Sequence, residues 1–129
     1  MSTKDSFNAA LQARNPSNNY IAHLKIWETA EDDTGAGAAG SSQRKARYLI
    51  LAVDKSSGKV SINKAKRNAN GSFSIGKDWD LNTLHEVQVY GPDSFCITLT
   101  RAYKWQTERP REQTLFLQSL VKVYRKYTG

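Results

Sequence analysis

The stretch RYLILAVDKSSGKVSINKAKR, residues 47–67, decides the fold. RYLILAV (47–53) reads as a strong strand and VSINKAKR (60–67) as a second one. Between them Lys55-Ser-Ser-Gly58 is a turn in which Gly58 supplies a positive φ, so the two strands form a hairpin. Strand side chains alternate between faces. Lys45, Arg47, Leu49, Leu51 and Val53 therefore share one face, and Val60, Ile62, Lys64 and Lys66 share a face of the partner strand. With Asp54 opposite Lys59, Val53 faces Val60, Leu51 faces Ile62, Leu49 faces Lys64 and Arg47 faces Lys66. This register makes one face apolar near the turn and strongly cationic at its far end.

The same region holds the charge. The 129-residue chain has a formal net charge of +7. Residues 43–67 contain eight basic side chains against one acid, Asp54, while the rest of the chain balances at eleven of each. Like charges directly opposite one another in a sheet destabilise it by a few tenths of a kcal/mol to about 1 kcal/mol. A bound polyanion would offset that repulsion, and several converging Lys and Arg can hold a phosphate group by charge-assisted bonds.

Outward from the hairpin, the chain is one domain's worth of sequence. Residues 1–19 form a polar N-terminal extension with a short helical phrase, Ser6 to Arg14, ended by Asn15-Pro16. This extension is expected to be lightly anchored. Tyr20 to Thr29 alternates as a strand. Residues 31–43 (EDDTGAGAAGSSQ) are acidic and then Gly/Ala/Ser-rich, as expected of a flexible loop. Asn68 to Gly71 is a turn, Ser72 to Trp79 a short strand, and Leu81 to Val87 a brief helix or turn. Ser94 to Thr100 and Tyr103 to Thr107 are strands. Pro110 then suits the first turn of a helix. Phe116, Leu120, Val123 and Tyr127, flanked by Leu117, Val121 and Tyr124, make that helix amphipathic. About seven short antiparallel strands closed by one helix suggest a small, partly open barrel plugged by the helix.

Other classes recede. No run of about 18 apolar residues is present, so no transmembrane helix is expected. Residues 1–19 lack an apolar core, so no signal peptide is expected. The single Cys96 excludes an internal disulfide and a thiolate zinc cluster, and it fits a reducing compartment. GAGAAGSS lacks the G-K-[ST] of a phosphate loop and reads as a linker. His23 and His85 read as packing or surface residues, Cys96 as a small core residue, and Asp78 and Asp80 as turn or cap residues. Asn70-Gly71-Ser72 is formally a glycosylation sequon, with nothing pointing to secretion. Trp27, Trp79 and Trp105 sit inside strand patterns and read as core rather than as base-stacking platforms. No catalytic constellation, metal site or cofactor is expected, and no nucleic-acid partner.

RKARYLILAV, INKAKRNANGSFSIGKDWDL, YKWQT and FLQSLVKVYRKYTG resemble the N-terminal PH-like domain of the Sec-three exocyst subunit in its fungal form. The resemblance covers about residues 44–129 and leaves residues 1–43 aside. It implies a mainly β fold, a pleckstrin-homology-like seven-stranded antiparallel barrel with one C-terminal α-helix over residues 20–129. It also implies binding of phosphatidylinositol 4,5-bisphosphate and of a Rho-family GTPase at the inner face of the plasma membrane, at sites of polarised growth. The family's parent subunit tethers secretory vesicles, and its further coiled-coil and rod regions would join other exocyst subunits. Carried over by position, the lipid site falls on Lys45 and Arg47 of the second strand, Lys64 and Lys66 of the third, Lys77 of F-S-I-G-K, and Arg44, with Lys25 as an outlying candidate. The rival reading is a protein-interaction module whose basic face meets an acidic partner without lipid.

Overall fold

The computed structural model describes residues 3–29, 44–107 and 109–128. The elements follow in the order α1 (Thr3–Arg14), β1 (Asn18–Thr29), β2 (Arg44–Asp54), β3 (Val60–Arg67), β4 (Phe73–Asp80), β5 (Glu86–Gly91), β6 (Ser94–Thr98), β7 (Ala102–Gln106) and α2 (Pro110–Thr128), with a 3-10 turn at Leu81–Thr83. The expected loop at 31–43, with its GAGAAGSS segment, lies outside the described residues.

All seven strands join one antiparallel sheet in the order β4-β3-β2-β1-β7-β6-β5. The sheet curls because β1 belongs to both halves. It pairs with β2 along nearly its whole length but with β7 at Trp27 and Gln106. Trp79 of β4 meets Tyr103 and Trp105 of β7 at ring-centroid distances of 5.1 and 6.3 Å, so the two halves close over a shared interior. This is the mainly β, partly open barrel with a C-terminal helix that the alternation predicted.

The hairpin register is as read. Val53 pairs with Val60, Leu51 with Ile62 and Leu49 with Lys64. The ladder ends one step further on, at Tyr48 and Ala65, before Arg47 and Lys66. The turn carries Gly58 at φ 78°, and Asp54 organises it by accepting from the Ser56 backbone and hydroxyl at 2.8 and 2.7 Å. Leu49, Leu51, Val60 and Ile62 point into the main core with Leu24, Ile26, Phe95, Ile97 and Trp105. α2 seals this core with Phe116, Leu117 and Leu120, and Pro110 stands at its start as expected. Val121, read as part of the apolar stripe, is 38% exposed.

Two elements depart from the sequence reading. The segment read as a brief helix or turn over Leu81 to Val87 is a 3-10 turn capped by the Asp80 carboxylate, followed at Glu86 by a strand. That strand's sequence, EVQVYG, offers only two apolar alternations; Val87 packs on the core and Val89 is exposed. The N-terminal segment is not lightly anchored. Phe7 and Leu11, one helical turn apart, are wholly buried in a second cluster with Ile50, Ala52 and Ala65. Tyr48, Ile50 and Ala52 are the alternate residues of the apolar run in β2. Their face lies outside the barrel and needs a cover. α1 is that cover. Polar bonds reinforce it: Arg14 to Asp78 at 2.8 Å, Asn15 to Asp54 at 2.8 Å, and Tyr20 N–H to Asn8 Oδ1 at 3.0 Å.

Candidate anion-binding site

Four strand ends meet at one rim of the barrel: the last residues of β1, the first of β2, the last of β3 and the first of β4. Register fixes which side chains line it. Lys64 stands directly opposite Lys77, and Lys45 directly opposite Glu28. Each follows core residues of its own strand at even spacing: Lys64 after Ile62, Lys77 before Trp79, Glu28 after Ile26, Arg47 before Leu49. Even spacing keeps a side chain on the same face, so these groups emerge from the barrel interior at its mouth.

The expected repulsion between Lys64 and Lys77 is relieved from within. Lys64 Nζ lies 2.5 Å from Glu28 Oε2, with both side chains about four-fifths buried. Glu28 also accepts from Trp105 Nε1 at 3.4 Å, which holds the carboxylate at the rim. Lys77 turns the other way. Its Nζ donates to the Tyr103 hydroxyl at 3.2 Å and sits 5.5 Å from the ring centroids of both Trp79 and Tyr103. Arg101 covers the Tyr103 ring at 4.9 Å. Burial alone would raise the Tyr103 phenol. The bond from Lys77, its charge, and bonds with Trp79 and Arg101 outweigh burial and hold the phenol below its usual range.

The structure places the sequence candidates unevenly. Lys64 and Lys77 are brought together. Lys45 and Lys66 are exposed near them, at the rim. Arg47 is half-buried and spends one guanidinium N–H on the Ala46 carbonyl at 2.8 Å. The Arg44 backbone pairs with Thr29 at the start of β2, and its side chain lies outside the described residues. Lys25 is turned away. It alternates with core residues Leu24 and Ile26 and lies over Trp27 at 5.2 Å on the outer face.

Three site residues escaped the sequence reading: Glu28, Tyr103 and Arg101. Glu28 was legible in principle, since it continues the inward phase of Leu24 and Ile26. Tyr103 and Arg101 come from β7 and the turn before it, and only the curl of the sheet brings them to β4. Among the described residues, no group of three His, Cys, Asp or Glu is arranged to hold a metal, and no helix is long and apolar enough to cross a membrane.

A rim of lysines around one shielded carboxylate suits a phosphorylated group. The family model described as exocyst complex component SEC3 N-terminal PIP2 binding PH matches residues 42–126. The chain belongs to this family. No curated protein matches it in a sequence search. The SEC3 PH match begins just before β2 and ends within α2, so it includes the hairpin and β4 to β7, while α1 and β1 lie outside the matched span. Glu28, on β1, lies outside that span.

Proposed function

We propose that this SEC3-family PH domain is a membrane-targeting module that clamps the headgroup of phosphatidylinositol 4,5-bisphosphate at the barrel mouth. Lys64 and Lys77 form the centre of the clamp, with Lys45, Arg47, Lys66 and Arg44 around them. The observation that carries the reading is the direct opposition of Lys64 and Lys77 at an open barrel end. A headgroup phosphate between them would accept charge-assisted bonds from both ammonium groups, competing with Glu28 for Lys64 and with the Tyr103 hydroxyl for Lys77. Cations near the leaflet add about 1 kcal/mol each toward an anionic membrane. In the wider role, a Rho-family GTPase supplies a second weak attachment, so that the exocytic vesicle-tethering complex is retained at the inner face of the plasma membrane only where both signals coincide.

Co-sedimentation with liposomes tests the clamp. The double variant Arg47→Ala with Lys64→Ala is expected to lose binding to bisphosphate-containing liposomes while keeping its melting transition. Unchanged binding by a folded double variant overturns the reading. A second reading has one observation in its favour: Glu28 already seats a carboxylate against Lys64, so an acidic partner protein suits the same rim. It predicts indifference to the bisphosphate lipid in the same assay.

A further inference from the structure

β5 is the last strand of the sheet, and its outer edge has no strand partner among the described residues. Such an edge offers N–H and C=O groups that can template another strand, and natural sheets blunt it with charge, Pro, a bulge or a cover. Here the blunting is slight. A bulge at Tyr90 ends regular pairing, but Glu86 to Val89 remain in register with β6, and Val89 is 59% exposed.

α2 runs beside this edge and leaves a groove of about 620 Å³. Val87, Val89, Leu117 and Val121 give it apolar walls, Lys122 and Arg125 line it as cations, and no acid lines it. Gln113 supplies an independent sign of a missing ligand. It lines the groove and is 2% exposed. Its Nε2 donates to the Gly91 carbonyl at 3.0 Å, while its Oε1 is buried with no donor among the described residues. Buried amide oxygens are normally satisfied.

We propose that an extended acidic peptide segment of a partner protein adds to β5 as a further strand in the groove between β5 and α2. Main-chain bonds to the open edge select an extended chain, because a helix has no free backbone groups to offer along its length. Apolar side chains at alternate positions pack on Val87, Leu117 and Val121. Carboxylates meet Lys122 and Arg125, and a donor from the peptide reaches Gln113 Oε1. None of these residues belongs to the barrel mouth, so lipid and peptide can be held together.

The test is an NMR titration of the ¹⁵N-labelled domain with an octapeptide of alternating Val and Glu, set against one of alternating Val and Lys. The expected result is saturable shifts over residues 86–91 and at the Gln113 side-chain amide with the Glu peptide, and at least tenfold weaker binding of the Lys peptide. Val121→Asp, and separately Lys122→Glu with Arg125→Glu, should each weaken the Glu peptide about tenfold or more while the melting transition persists. Lys64→Ala with Lys77→Ala should leave it unchanged. The proposal is overturned if no saturable shift occurs, if shifts are confined to the mouth, if folded groove variants bind as before, or if the edge instead responds to protein concentration through self-association.

Discussion

Glu28 changes what the mouth can do. A rim of lysines alone would be a passive attractor, whereas in the proposed clamp a carboxylate on Lys64 would make an incoming phosphate compete with an internal anion. Removing that competitor should favour the ligand. Glu28→Gln keeps the acceptor for Trp105 and deletes one negative charge. Its expected effect is about 1 kcal/mol, or roughly fivefold tighter binding to bisphosphate liposomes, measured by co-sedimentation at fixed salt. Weaker binding would mean that Glu28 positions Lys64 rather than restrains it. His23 gives a second residue-scale expectation. Its ring lies 4.7 Å from that of Phe7, and its Nδ1 is 2.7 Å from the Tyr20 hydroxyl. Burial lowers its pKa below the ordinary 6.5, Glu112 acts to raise it, and Arg109 acts with burial. A histidine held neutral by the fold stabilises fully above 6.5, and that contribution is lost as pH falls from 6.5 through the lowered value. Denaturant melts should therefore show stability declining from pH 7 to pH 5, with a shallower decline in His23→Gln.

At the scale of elements, α1 is the part that alternation reveals only when both faces are counted. Leu49 and Leu51 announce a core, but Tyr48, Ile50 and Ala52 between them are apolar too, and a strand apolar on both faces needs two partners. Phe7 and Leu11 were the matching signal in a helix whose other apolar residues are the alanines Ala9, Ala10 and Ala13. Two large apolar residues in twelve make too faint a helical stripe to announce docking by itself. β2 and β3, by contrast, were legible to the register, because alternation and a Gly turn leave one pairing that buries Leu51 against Ile62. β5 was hidden because only Val87 and Val89 mark its alternation, and a two-residue signal is too short to separate from the preceding turn. The docking of α1 has a measurable cost when weakened. Leu11→Ala removes a wholly buried side chain from a cluster that has few other members. It should destabilise the domain by about 3 kcal/mol in urea unfolding. A change under about 1 kcal/mol would show that α1 detaches without consequence for the sheet.

For the whole molecule, the net charge of +7 is a poor guide and its distribution a good one. Of the eight basic residues between 43 and 67, Arg44, Lys45, Arg47, Lys64 and Lys66 fall at the mouth end of their strands. Lys55 and Lys59 sit at the opposite, turn end of the hairpin, and Arg67 lies by α1 and the Asn70–Phe73 turn. The mouth regains cations from outside that window, through Lys77 and Arg101. The barrel therefore presents its densest positive field at one end, whatever the balance elsewhere. Such a field has two components with different salt responses. Exposed Lys45 and Lys66 act through solvent, where the Debye length falls from about 10 Å at 0.1 M salt to about 4 Å at 0.5 M. Lys64, about four-fifths buried against Glu28, is screened less. Raising salt over that range should cut binding to liposomes with general anionic lipid by about tenfold or more, while a residual affinity for the bisphosphate headgroup persists. Equal loss on both membranes, measured side by side, would show that the mouth recognises charge density alone and not a headgroup seated between Lys64 and Lys77.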